Sequence, residues 1–125
     1  LAAPTLSQHA ALAALDEATE PELLRRKAIF RERRGYLLPA LEDAGFIVRT
    51  RPSGAFYIYA DCTAYGQDSD ALCEQLLEQA GVAVTPGSDF GHHYSSRYVR
   101  FSYANTLDKL EQGVRRMKNY LEKRS

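Results

Sequence analysis

One arginine stands where chemistry can be done. Along Tyr98–Tyr103, polar and apolar residues alternate, so Val99, Phe101 and Tyr103 share one face of a strand while Tyr98, Arg100 and Ser102 share the other. Arg100 then projects from a rigid element between an aromatic ring and a hydroxyl. A guanidinium in that position can hold a carboxylate through two parallel hydrogen bonds. Arginines are also ordinary surface partners of acids, and the pattern leaves both uses open. Just upstream runs the loop TPGSDFG, from Thr85 to Gly91. Gly87 and Gly91 permit backbone shapes closed to other residues, so this loop can approach a ligand closely. It can equally be a turn-rich connection.

Other chemical groups offer less. His92 and His93 are adjacent and His9 is distant, and no Cys or carboxylate recurs at ligand spacing, so no metal site is expected. Gly-x-Ser-x-Gly, Walker and GxGxxG patterns are absent, which leaves hydrolase and nucleotide-binding readings without support. Arg25, Arg26, Lys27, Arg31, Arg33 and Arg34 place six basic residues within ten. Helical spacing spreads these charges around the circumference, so a solvated or interface face is expected and nucleic acid is not.

The elements that position these residues follow from periodicity. Residues 5–18 read as an Ala/Leu-rich helix with Thr5 or Ser7 as its N-cap, broken at Glu20-Pro21. A long helix follows over residues 21–44, with Leu23, Phe30, Leu37 and Leu41 at helical spacing and Gly45 as its stop. Residues 46–51 and 55–60 read as two strands joined by a tight turn at Arg51-Pro52-Ser53-Gly54, an antiparallel hairpin. After a loop over 61–67, Asp68 or Ser69 caps a third helix that buries Leu72, Leu76, Leu77 and Ala80 and ends at Gly81. Strands are expected at 82–85 and 98–104. Asn105 is the expected cap of a last helix with Asp108 in a capping box, and Leu107, Leu110, Val114, Met117 and Leu121 form its apolar stripe. The fold class is α+β: a small antiparallel or mixed sheet of about four strands with helices on one face.

Composition agrees with one folded domain. The chain has 125 residues, 45% hydrophobic and 26% charged, with 16 basic against 16 acidic residues and no net charge. Such a balance supplies no global field toward nucleic acid or an anionic membrane. No apolar run approaches the roughly 20 residues of a membrane-spanning helix, and no basic-then-apolar leader opens the chain, so neither membrane nor secretion is expected. Two cysteines, Cys62 and Cys73, make no disulfide framework and suggest a reducing, cytoplasmic setting. The single methionine is Met117 and the chain starts at Leu1, as a processed product or an excised piece would.

Three blocks, RPSGAFYIYADC, ALCEQLLEQAGVAVTPGSDFG and RYVRFSYANTLDKLEQGVRRM, occur in an order and spacing that resemble the C-terminal part of class I/II pyridoxal-phosphate aminotransferases of fold type I. They cover residues 36–121, and SQHAALAAL resembles the segment that follows the cofactor lysine in those enzymes. The resemblance implies a small domain over residues 19–125, with residues 1–18 as a helix joining it to a large domain absent from this sequence. It implies that Arg100 grips the substrate α-carboxylate and that Pro86, Gly87, Ser88, Phe90 and Gly91 form a loop close to it. Gly54 matches the structural glycine of the P-x-G-A-F-Y motif. An amino acid and a 2-oxo acid are the implied substrates, pyridoxal 5'-phosphate the cofactor and a homodimer the parent assembly.

The family's cofactor lysine has no counterpart, since Lys27, Lys109, Lys118 and Lys123 all lie in helix patterns. The chain alone is therefore expected to be inactive, with no catalytic residue of its own. A related carbon–sulfur lyase, a stand-alone carboxylate-binding module and an RNA-binding module remain as alternatives.

Overall fold

The structure is a computed structural model and describes residues 2–66 and 68–123. Gln67, read above as the last residue of a loop, lies outside the described residues, as do Leu1, Arg124 and Ser125. The elements are α1 (Thr5–Ala14), α2 (Glu20–Asp43), β1 (Tyr57–Asp61), α3 (Ser69–Ala80), β2 (Thr85–Pro86), β3 (Tyr98–Ser102) and α4 (Leu107–Glu122). Short 3-10 turns at Glu17–Thr19, Thr63–Tyr65, Gly87–Phe90 and Ser95–Arg97 link them.

The sheet is antiparallel with the order β1-β3-β2. It has three strands where about four were expected. The sequence 46–51 forms no strand: a single bridge joins Ile47 to Asp61, and the chain then leaves the sheet. The expected hairpin at 51–54 is therefore absent, and β1 finds its partner in β3. Of the stretch 82–85 only Thr85 enters the sheet; with Pro86, which has no N–H to extend the ladder, it makes a two-residue strand.

Ile58, Ala60, Val99 and Phe101 point from one sheet face into the core and are each at most 4% exposed. There they meet Leu37, Leu38 and Leu41 of α2, Leu72 and Leu76 of α3, and Leu110, Val114, Met117 and Leu121 of α4. The stripe of α4 thus packs as expected from Leu110 onward, with Leu107 half-buried, whereas on α3 Leu77, expected in the core, is 51% exposed. On α2 the buried residues are confined to the last two turns, which carry the helix through Pro39, and Leu23 is 48% exposed.

Several caps differ from expectation. Pro4 precedes α1 with no side-chain cap, α1 stops at Ala14, and the Asp16 carboxylate caps the 3-10 turn before α2. Thr106 rather than Asn105 occupies the N-cap of α4, so Asp108 falls one position short of a capping box. Asp68 caps α3 by accepting from the amides of Asp70 and Ala71, and Gly81 ends it in the left-handed region at φ 63°.

Candidate functional site

The other sheet face is polar and aromatic. Arg100 lies on the central strand opposite Tyr59 of β1 and Thr85 of β2, and Ser102 lies opposite Tyr57. Cross-strand partners share a face, so Tyr57, Tyr59, Thr85, Tyr98, Arg100 and Ser102 surround one patch. Tyr59 and Tyr98 stack with ring centroids 4.9 Å apart and planes 8° from parallel.

Arg100 has an unusual set of neighbours. Its guanidinium carbon sits 4.5 Å from the centroid of the Phe90 ring and 5.5 Å from that of Tyr57. Its one side-chain hydrogen bond among the described residues is long, 3.4 Å from Nη2 to the Thr85 hydroxyl, and its Nε is buried without a partner. Among the described residues no carboxylate lies within ion-pair distance of it. Buried polar atoms are normally satisfied, and Arg97 Nε and Ser69 Oγ share this state, so what sets Arg100 apart is the missing acid and not the orphaned Nε.

The loop reaches this patch through Gly87. A Cβ on Gly87 would come within 2.6 Å of the Tyr59 hydroxyl and 2.8 Å of the Tyr98 carbonyl, and would also strike the Ser95 carbonyl. Here glycine is required by close approach. Pro86 is the edge residue of β2, and the Ser88 hydroxyl donates to the Asp70 carboxylate at 2.7 Å, tying the loop to α3. Phe90 is 51% exposed and meets Tyr59 edge-on at 6.3 Å. Gly91 follows with φ 155°. His92 and His93 are exposed.

Gly54 is placed differently from the structural turn expected of it. Its Cα faces open space, and the left-handed residue of the segment is Ala55, at φ 61°. Gly54 contributes its carbonyl, which accepts from the buried Tyr103 hydroxyl at 3.0 Å.

A second polar centre was not visible in the sequence. The Asp61 carboxylate is fully buried and accepts from Arg49 Nη2 at 2.8 Å, the Thr63 amide at 2.9 Å and the Thr63 hydroxyl at 2.6 Å. Arg97 Nη2 stands 3.6 Å away. Burial by itself would raise the Asp61 pKa. The Thr63 donors and the Arg49 guanidinium outweigh it and hold the carboxyl below the usual range. Burial pushes the Cys62 thiol up to about 11 and that of Cys73 to about 12, so neither is a nucleophile near neutral pH.

The basic run of α2 is partly spent on structure. Arg25 and Arg26 both pair with Glu22, Arg33 donates to the Ala104 carbonyl and Arg34 to that of Pro52. A separate groove of about 600 Å³ runs between α2, α4 and residues 81–84. It carries Lys109 as its one charged lining residue and does not include Arg100.

The chain matches the family described as Aminotransferase class I and II over residues 1–117. It belongs to that family. It is 37% identical to the (5-formylfuran-3-yl)methyl phosphate transaminase of Methanocaldococcus jannaschii, covering 98% of this chain and 32% of the relative. It is 36% identical to the valine–pyruvate aminotransferase of Mycobacterium tuberculosis, over 94% of this chain and 30% of that protein. Among solved structures, an aminotransferase from Mycobacterium tuberculosis superposes with a TM-score of 0.88 at 37% identity, covering 96% of this chain and 31% of the other. An aromatic aminotransferase from Pyrococcus horikoshii gives 0.84 at 36% identity, with 92% and 30% covered. The chain spans about a third of the length of the curated relatives it matches.

The family implies pyridoxal phosphate, and no lysine among the described residues is one of the side chains that contact Arg100. Lys27, Lys109 and Lys123 are exposed helix residues, and Lys118 reaches toward Asp43 at 4.0 Å.

Proposed function

We propose that the chain is the C-terminal, small-domain portion of a pyridoxal-phosphate-dependent aminotransferase, in which Arg100 binds the α-carboxylate of the amino acid and of the 2-oxo acid. The carrying observation is the guanidinium itself. It is held against Phe90 and Tyr57 and lacks an acidic partner among the described residues. A substrate carboxylate would complete it.

In this reading residues 1–18 connect to the large domain and residues 19–125 form the small one. Pro86, Gly87, Ser88, Phe90 and Gly91 line the substrate side, and the parent enzyme works as a cytoplasmic homodimer. The cofactor, bound by the rest of the parent, supplies the electron sink. Arg100 orients the amino acid by its carboxylate end and offsets that charge. Without the large domain the chain is inactive. The transaminase names of the relatives support amino transfer over carbon–sulfur lyase chemistry.

In the full-length protein, Arg100→Ala should lower kcat/KM for amino acids by about 30-fold to several thousand-fold, the range for truncating one member of a desolvated charge pair. Arg100→Lys should recover only part, since an ammonium lacks the planar fork. Unchanged kinetics in Arg100→Ala would refute the assignment.

A further inference from the structure

We infer that Phe90 is a positioning residue that fixes the Arg100 guanidinium without consuming its hydrogen-bond donors. The inference rests on reading Arg100 as the carboxylate grip. An arginine in a folded protein is commonly oriented by an acid, but an acid occupies the same N–H groups a ligand would need. Arg100 is oriented instead by ring faces, with Phe90 at 4.5 Å and Tyr57 at 5.5 Å. A ring face attracts the cation through its quadrupole and leaves the in-plane donors open. Its 3.4 Å contact with Thr85 is too long to set the orientation alone.

Phe90 is itself held in place. Gly87 seats the loop against the sheet, Ser88 ties it to Asp70 of α3, and the Phe90 ring rests edge-on against Tyr59, which stacks on Tyr98. Yet the side chain is 51% exposed. A phenylalanine placed to fill a core would be buried. This one turns a face to a guanidinium instead.

The test uses the full-length protein with Phe90→Leu, which keeps apolar bulk but removes the ring face, and Phe90→Tyr, which keeps the face. Phe90→Leu should raise KM for amino acids roughly three- to thirty-fold with kcat within about two-fold, the span expected for one cation–ring contact. Phe90→Tyr should stay within about two-fold of the parent on both. A second readout is independent of turnover: the Nε–H resonance of Arg100, assigned by its absence from Arg100→Ala. It should be shifted upfield by the ring in the parent and in Phe90→Tyr, and should return toward the position of a free arginine in Phe90→Leu. Should Phe90→Leu not fold, Phe90→Met makes the same comparison. If Arg100→Ala leaves KM unchanged, the carboxylate reading fails, and the resonance still decides whether Phe90 holds the side chain. An Arg100 resonance unmoved by loss of the ring overturns the inference, whatever Arg100→Ala does.

Discussion

Arg97 and Arg100 are three positions apart and end in opposite electrostatic settings. Arg97 lies 5.8 Å from the Tyr94 ring and, like Arg100, has a buried Nε without a partner, but it faces Asp61, a buried carboxylate already held by Arg49 and Thr63. Arg100 has aromatic rings for neighbours and no acid within reach among the described residues. The first arrangement is closed, because the acid's acceptor capacity is met inside the fold, where the carboxylate ties the end of β1 to Arg49, Thr63 and, before β3, Arg97. The second has no acid, only ring contacts and one long hydrogen bond from Nη2 to the Thr85 hydroxyl. The difference is an acid supplied inside the fold in one case and, on the proposed function, a substrate carboxylate in the other.

The comparison can be broken from the closed side first. Asp61→Ala leaves Arg49 and Arg97 without their acid and should cost about 3 kcal/mol, the low end for opening a buried pair because Arg49 is half exposed. Chemical denaturation checks this, and a loss below about 1 kcal/mol would mean that the network is ornamental. Gly87→Ala should destabilise by about 1–3 kcal/mol, since the new methyl meets backbone carbonyls and the Tyr59 hydroxyl. In the full-length protein it should also disturb carboxylate recognition, because it lifts the loop that carries Phe90.

The pH dependence distinguishes the two centres as well. The folded Asp61 pKa is lowered, so its stabilisation is complete above the ordinary carboxylate range and is lost as pH falls through the folded value. Stability of the parent chain should therefore fall on acidification below about pH 4, and Asp61→Asn should flatten that fall. An equal acid slope in the variant would assign it to other carboxylates.

The smallest effect is expected on the open side. Arg100→Met should change stability by no more than about 0.5 kcal/mol or raise it slightly, because it replaces a buried unsatisfied donor with apolar bulk. A large loss in thermal melting would show Arg100 to be a structural residue.

Much of this arrangement was legible beforehand, for local reasons. The alternation in Tyr98–Ser102 put Arg100 on the face opposite Val99 and Phe101, and a strand obeys that period whatever surrounds it. The stripe of α4 and the Asp68 cap of α3 were equally local. What could not be read depends on residues brought together from far apart. Ile47 looked like the middle of a strand, but one bridge is all that Asp61 offers it before Arg49 turns to reach the carboxylate. Asp61 itself resembled the polar start of a loop, since nothing nearby in sequence announces Arg97 as a neighbour. Glycine also misled: Gly54 appeared to carry the turn, while the left-handed conformation fell on Ala55. The contact of Phe90 with Arg100 needs the whole loop folded back over the sheet, which no spacing rule states.

The most direct test is titration calorimetry of the full-length protein with 3-phenylpropionate and with its neutral amide, in the parent and in Arg100→Ala. An open guanidinium should bind the carboxylate more tightly than the amide, and Arg100→Ala should erase that preference. Equal preference for the carboxylate in the two proteins would contradict the account, because the charge that recognises the substrate would then lie elsewhere.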